Sequence, residues 1–167
     1  MTEIHPASLR TEALLAACSV QFSRASGPGG QNRNKVETAV ILTHAPTGLK
    51  AEANERRTQG ENRLQALFRL RLRLALEVRC PPRLEPSSLW NSRCRGGKVF
   101  VNPTHEDFPS LLAEALDVLA GRNDDLAATS AILGCSTTQL VKLFKDEPRA
   151  FKALNDRREA RGLHPLR

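Results

Sequence analysis

At 167 residues the chain has room for one domain of moderate size, or for a small domain with an appendage. A net charge of +7 and a pI ≈ 9.8 favour an acidic partner, nucleic acid first, although surplus basic charge also serves solubility. No apolar run is long enough for a spanning helix and no signal peptide is evident, so we expect a cytoplasmic protein that does not enter membranes.

The charge is uneven: residues 1–80 carry +5, residues 81–147 carry −2 and residues 148–167 carry +4, which makes the middle segment a poor general RNA surface. The four cysteines, Cys18, Cys80, Cys94 and Cys135, are scattered, form no C-x-x-C pair and have no histidines clustered with them. Reduced, mostly buried thiols and no metal site are expected.

Residues 6–17 read as a short packing helix: Pro6 suits a first turn, Ser8 can cap it, and Leu9, Leu14 and Leu15 give an apolar side. Cys18 to Phe22 alternates as a strand. Then come Gly27, Pro28, Gly29 and Gly30, which rule out a helix or a central strand. They make a loop with little side-chain bulk that ends in one amide, Gln31. Beta-formers on both sides place it on a two-strand base, and Arg24, Arg33 and Lys35 flank it, which suits a polyanionic partner. A phosphate cradle needs a following Lys-Ser/Thr and helix, or the dinucleotide spacing of glycines; neither is present. A plain hairpin loop explains the glycines, but not Gln31 directly after them or the basic rim.

Thr38 to His44 is a β-branched strand, Ala45 to Gly48 a turn, and Leu49 to Ala53 a second alternating strand. His44 stands alone and reads as a turn residue rather than a general base. Residues 58–79 are ambiguous by pattern, because Phe68 to Leu74 alternates. The residue types are helix formers, so the segment reads as a helix with Leu67, Leu70, Leu74 and Val78 in one stripe. Arg69 and Arg73 share the opposite face, which either meets RNA phosphate or is simply solvated; Arg71 lies along the core boundary with its head in water.

Cys80-Pro81-Pro82 stops that helix. Residues 80–92 read as a Pro- and Ser-rich linker in which Trp90 is a packing anchor. Arg93 to Asn102 reads as a turn and short strand, with Arg95 to Lys98 a glycine turn or a basic RNA contact. Residues 108–120 form an amphipathic helix ended by Gly121. Residues 124–133 and 136–145 look like a helix-turn-helix around Gly134, with Ser136 as cap and Ile132, Leu133, Leu140 and Leu143 packing. Its second helix offers Thr137, Thr138, Gln139, Lys142 and Lys145 outward, and Ser130 replaces the alanine usual at that spacing. A last helix after Pro148 ends in the basic run Arg157, Arg158 and Arg161, and Gly162 to Arg167 reads as a frayed tail. The expected fold is α+β: a small domain over 1–80, a linker with a short hairpin over 81–106, and a helical domain over 107–167.

Arg24-Ala-Ser26-Gly-x-Gly29-Gly30-Gln31-x-x-Asn34-x-x-x-Thr38-Ala-Val40 resembles the signature of the class I peptide chain release factors and of their short relatives that rescue stalled ribosomes. The resemblance continues through Pro46-Thr47-Gly48, Arg57-Thr58-Gln59 and Asn62 to Ala66-Leu67, and covers roughly Cys18 to Arg79. Arg33 departs from it, standing where the family usually has Val or Ile.

The resemblance implies a GGQ-type domain, a sheet packed by a long helix, and a ribosome-dependent peptidyl-tRNA hydrolase. Gly29, Gly30 and Gln31 are its implied catalytic residues. The glycines admit the backbone to the tRNA 3′ end, the Gln31 N–H serves the oxyanion and leaving group, and the Gln31 side chain positions water. Gln31 is also a candidate for N5-methylation. RNA-binding candidates are Arg24, Ser26, Asn32, Arg33, Asn34, Lys35, Arg69, Arg73, Lys142, Lys145, Arg157 and Arg158. Implied partners are the large ribosomal subunit with its 23S-type rRNA, P-site peptidyl-tRNA and a recruiting protein; no cofactor or metal is called for, and the protein is expected to be a monomer. Only seventeen residues precede Cys18, too few for a codon-reading domain, so codon-independent rescue is the expected activity. The alternative is an RNA- or DNA-binding protein that uses the helix-turn-helix without hydrolase activity.

Overall fold

The computed structural model describes residues 4–23 and 37–167. They form an α+β fold in two compact units, one of Pro6–Leu74 and the other of Ala75–Arg167 with the residues up to His5.

The first unit opens with a single 3-10 turn, Pro6–Ser8, followed by α1 (Thr11–Ala16). The continuous helix expected over 6–17 is broken at Arg10, whose backbone is extended (φ −57°, ψ 150°) and whose side chain makes no cap bond; Ser8 caps nothing here. A three-stranded antiparallel sheet follows in the order β1 (Cys18–Ser23), β2 (Ala39–His44) and β3 (Lys50–Ala53). The register pairs Phe22 with Val40 and Val40 with Ala53, then Val20 with Leu42 and Leu42 with Ala51. Val40, Leu42, Ala51 and Ala53 are buried, as the strand period of two requires for one covered face. The β2–β3 turn closes when the N–H groups of Thr47 and Gly48 both donate to the His44 carbonyl, and Gly48 takes φ +71°, a conformation glycine alone adopts without cost.

Helix α2 (Gln59–Glu77) settles the ambiguous segment in favour of residue type over alternation. Ala66, Leu67, Leu70 and Leu74 are buried along one stripe. Val78 lies beyond the helix end, so the expected stripe is one residue shorter.

The second unit holds α3 (Ser88–Arg93), the hairpin β4 (Cys94–Arg95) and β5 (Lys98–Val99), then α4 (Phe108–Gly121), α5 (Leu126–Leu133), α6 (Thr137–Lys145) and α7 (Pro148–Ala160). The Pro- and Ser-rich stretch around residue 88 thus contains a helix. Ser87 caps it by accepting from the Trp90 N–H at 3.0 Å, while Glu114 accepts from the Ser87 N–H at 2.7 Å. Trp90 is fully buried and its indole N–H donates to the Leu133 carbonyl at 2.7 Å, so it anchors α3 against the end of α5. Gly96 and Gly97, at φ +56° and +75°, make the two-residue hairpin loop.

Gly134 is left-handed (φ 65°, ψ 24°) between α5 and α6, and the Ser136 hydroxyl accepts from the Gln139 N–H at 3.2 Å, as the turn chemistry predicts. Four other expectations need correction. Gln139 does not point outward; its Oε1 accepts from the Val99 N–H at 3.3 Å. Gly121 is the last residue of α4, not its stop; Asn123 and Asp124 make the turn at φ 53° and 61°. The tail is not frayed at its end, because Asn155 brackets Leu166: Oδ1 accepts from its N–H at 2.8 Å and Nδ2 donates to its carbonyl at 3.2 Å. All four thiols are free, but only Cys135 is buried, where desolvation pushes its pKa to about 11. No helix among the described residues is long and apolar enough to cross a membrane.

Candidate functional site

Gly29, Gly30 and Gln31, with Arg24, Ser26, Asn32, Arg33, Asn34 and Lys35, lie outside the described residues. What the structure does describe is the stem on which they are carried. The last pair of the β1–β2 ladder joins Ser23 to Ala39. Burial thins toward this end of β1, where Phe22 is half exposed.

The chain returns from the loop into a clamp built by the first turns of α2. Asn62 is fully buried, yet every polar atom of its amide is used. Its Nδ2 donates to the carbonyls of Thr38 at 2.7 Å and Arg56 at 3.0 Å, and its Oδ1 accepts from the Arg56 N–H at 2.9 Å. Gln59, one turn earlier, donates from Nε2 to the Glu37 carbonyl at 2.5 Å. Two side-chain amides three positions apart on one helix therefore hold two successive carbonyls of the loop exit. The helix start is itself fixed by Thr58 and Glu61: Thr58 Oγ1 accepts from the Glu61 N–H at 3.2 Å and donates to its carboxylate at 2.7 Å. Gln59 and Asn62 were not among the site residues expected from sequence. The available signal was their place in the resembled motif, just before an apolar helical run.

Arg69 and Arg73 lie along the edge strand of this unit. Arg69 donates to the Glu52 carbonyl at 2.7 Å and grips the Glu55 carboxylate at 2.6 Å; Arg73 donates to the Lys50 carbonyl at 2.6 Å. Both guanidiniums thus engage carbonyls of β3, which among the described residues has no neighbouring strand on that side. Arg71 donates to the Ala7 carbonyl at 3.0 Å and to Thr11 Oγ1 at 3.3 Å. His44 is buried and its Nδ1 meets Thr47 Oγ1 at 2.8 Å, a turn contact; burial lowers its pKa.

The remaining candidates belong to the second unit. Lys142 and Lys145 are exposed on α6, with the Lys145 ammonium 5.6 Å from the Phe151 ring centroid. Arg157 pairs with Asp124 at 3.0 Å, and Arg158 donates to the His164 carbonyl at 3.0 Å. The expectation that no histidine gathers with the cysteines also needs correction: His5, Cys80 and Asp117 converge, with donor atoms within 4.8 Å of one another. Burial raises the Asp117 pKa to about 6, opposed by the Cys80 N–H and the Arg79 guanidinium that it accepts from.

An antiparallel sheet covered by a helix whose amide side chains hold residues 37 and 38 defines a small α+β domain. Residues 11–88 match the RF-1 domain, and this part of the chain is similar to class I peptide chain release factors. A stretch of 73 residues, 44% of this chain, is 49% identical to peptide chain release factor 1 of Streptococcus thermophilus and covers 18% of that protein. A stretch of 55 residues, 33% of this chain, is 53% identical to the chloroplastic peptide chain release factor PrfB1 of Arabidopsis thaliana and covers 12% of it. Each match therefore spans a small fraction of the relative's length.

Proposed function

We propose that the protein hydrolyses the ester between nascent peptide and tRNA at the large ribosomal subunit, independently of a codon, and so frees stalled ribosomes. The observation that carries this reading is the RF-1 match over residues 11–88, with a clamped stem at the loop exit inside it. Acyl transfer to water needs an aligned water and donors for the tetrahedral oxyanion. In this reading Gly29 and Gly30 let the backbone reach the tRNA 3′ end. The Gln31 N–H serves the oxyanion and leaving group, and the Gln31 amide positions the water. Ribosomal RNA and tRNA hydroxyls provide the acid–base capacity. The stem serves by fixing where the tip is delivered, since small misplacements cost large factors in rate.

Action without a codon is favoured by the helical unit that follows. Its exposed Lys142 and Lys145 and half-buried Arg158 suit phosphate contact, which fixes position and reads no sequence. Such a unit can recruit the protein through rRNA, tRNA or a protein partner.

The test is single-turnover peptide release from purified ribosome complexes with an empty decoding site and from complexes with a stop codon. Gly30→Ala and Gln31→Ala should each abolish release while leaving ribosome binding intact. Release confined to the stop-codon complexes overturns codon independence, and release that survives Gln31→Ala overturns the role given to that residue; no release by the wild-type chain from either complex overturns the hydrolase reading. Absence of release favours a nucleic-acid-binding protein acting through α5 and α6, whose Gly134 turn and Ser136 cap have helix-turn-helix form.

A further inference from the structure

Three donors of different chemistry meet in the second unit: the His5 imidazole, the Cys80 thiol and the Asp117 carboxylate. His5 and Asp117 are buried and Cys80 is half-buried, and their donor atoms lie within 4.8 Å of one another. We infer that these three residues form a binding site for a zinc-class divalent cation.

The spacing allows it. Zinc holds nitrogen, sulfur and oxygen donors at about 2.0–2.3 Å, so each donor here has to close in by less than about 1 Å. The supporting contacts are those that metal ligands need. His5 Nε2 meets the Val78 carbonyl at 3.2 Å, a contact that orients the ring. The Asp117 carboxylate is oriented by two bonds, from Arg79 Nη1 at 3.0 Å and from the Cys80 N–H at 3.1 Å, and both end on Oδ1. The same residue that offers the thiol therefore positions the carboxylate through its backbone.

The donor set narrows the ion. A neutral nitrogen, a thiolate and one carboxylate suit Zn²⁺ or Co²⁺ and are a poor set for Ca²⁺ or Mg²⁺, which prefer oxygen alone. Arg79 already neutralises Asp117, so an ordinary ion pair is the competing account of that carboxylate. On binding, the Cys80 S–H bond breaks, a sulfur–metal bond forms and the proton passes to solvent. Three protein ligands leave a fourth position for water. The ion would tie His5 to Cys80 and to α4 within the second unit.

The experiment uses the full chain, stripped of metal by a chelator and titrated with Co²⁺. One ion per chain should bind, with a near-ultraviolet thiolate-to-cobalt charge-transfer band that Zn²⁺ displaces. Cys80→Ser should abolish the band, and His5→Gln should weaken Co²⁺ binding by roughly tenfold or more. The Cys94→Ser/Cys135→Ser double variant should keep both band and affinity. Neither single variant touches the Arg79–Asp117 pair, so circular dichroism and thermal melting should report folded protein. Absence of the band in the wild-type chain overturns the inference. So does a band that survives Cys80→Ser, or unchanged binding in His5→Gln.

Discussion

Asn62 has no exposed surface and makes three hydrogen bonds, two of them to carbonyls of other segments. Asn62→Ala leaves two carbonyls and one N–H without their partner, a loss of about 2–4 kcal/mol in unfolding free energy. Denaturant unfolding measures that loss. Because the Thr38 carbonyl sits at the loop exit, the variant should also lose peptide release faster than ribosome affinity, in conditions where it remains folded. Equal losses in both would mean that the clamp supports the fold alone. His44 offers a second residue-level prediction. Burial lowers its pKa below the ordinary 6.5, so the unfolded chain takes up a proton more readily than the folded one. The stability this represents is complete above pH 6.5 and is lost as pH falls through that value toward the lowered folded pKa. Unfolding free energies from about pH 7 to about pH 5 should fall more steeply for the wild-type chain than for His44→Gln.

Among the elements, those with strong local signals were legible in the sequence. Strands β1, β2 and β3 followed from alternation and β-branched residues, and α2 from its helix-forming types despite an alternating stretch. The α5–α6 turn followed from Gly134 and Ser136. What escaped was what depends on distant partners. Six residues are too few for α3 to show a period; its stability comes from Glu114 and Leu133, far along the chain. The tail is held by Asn155 across eleven positions. The stem clamp joins Asn62 to Thr38 across 24 positions, which no local pattern encodes. Gly121 is the sharpest case: its position suggested a helix stop, but a Cβ there would lie 2.5 Å from Pro82 Cγ. Close packing, not conformational freedom, explains the glycine. Gly121→Ala gains up to about 1 kcal/mol in helix propensity and should still destabilise the protein by roughly 1–3 kcal/mol through overpacking. Adding Pro82→Ala should recover part of that loss, and a double-mutant cycle of unfolding free energies measures the coupling. Additive effects would show that the two sites do not touch.

For the molecule as a whole, net charge alone overstates what is available to a polyanion. Much of the basic C-terminal segment is spent internally: Arg157 and Arg161 both pair with Asp124, Arg149 with Glu147, and Lys152 with Asp156. Among the described residues of α6 and α7, Lys142, Lys145 and Arg158 have no carboxylate partner, and Lys142 and Lys145 are exposed. Charge reversal there should act differently from charge reversal at Arg157. Lys142→Glu/Lys145→Glu/Arg158→Glu leaves the ion pairs intact, so thermal stability should stay near that of the wild type. If each cation meets one phosphate in the proposed ribosome complex, losing three contacts lowers the slope of log affinity against log salt by about 2–3 and weakens binding most at low salt. Arg157→Glu instead sets a second carboxylate beside Asp124 and should lower the melting temperature with little change in that slope. Ribosome sedimentation across a salt series, with melting curves on the same samples, separates the two behaviours. An unchanged slope in the triple variant would remove the helical unit from the electrostatic contact and leave recruitment to the first unit alone.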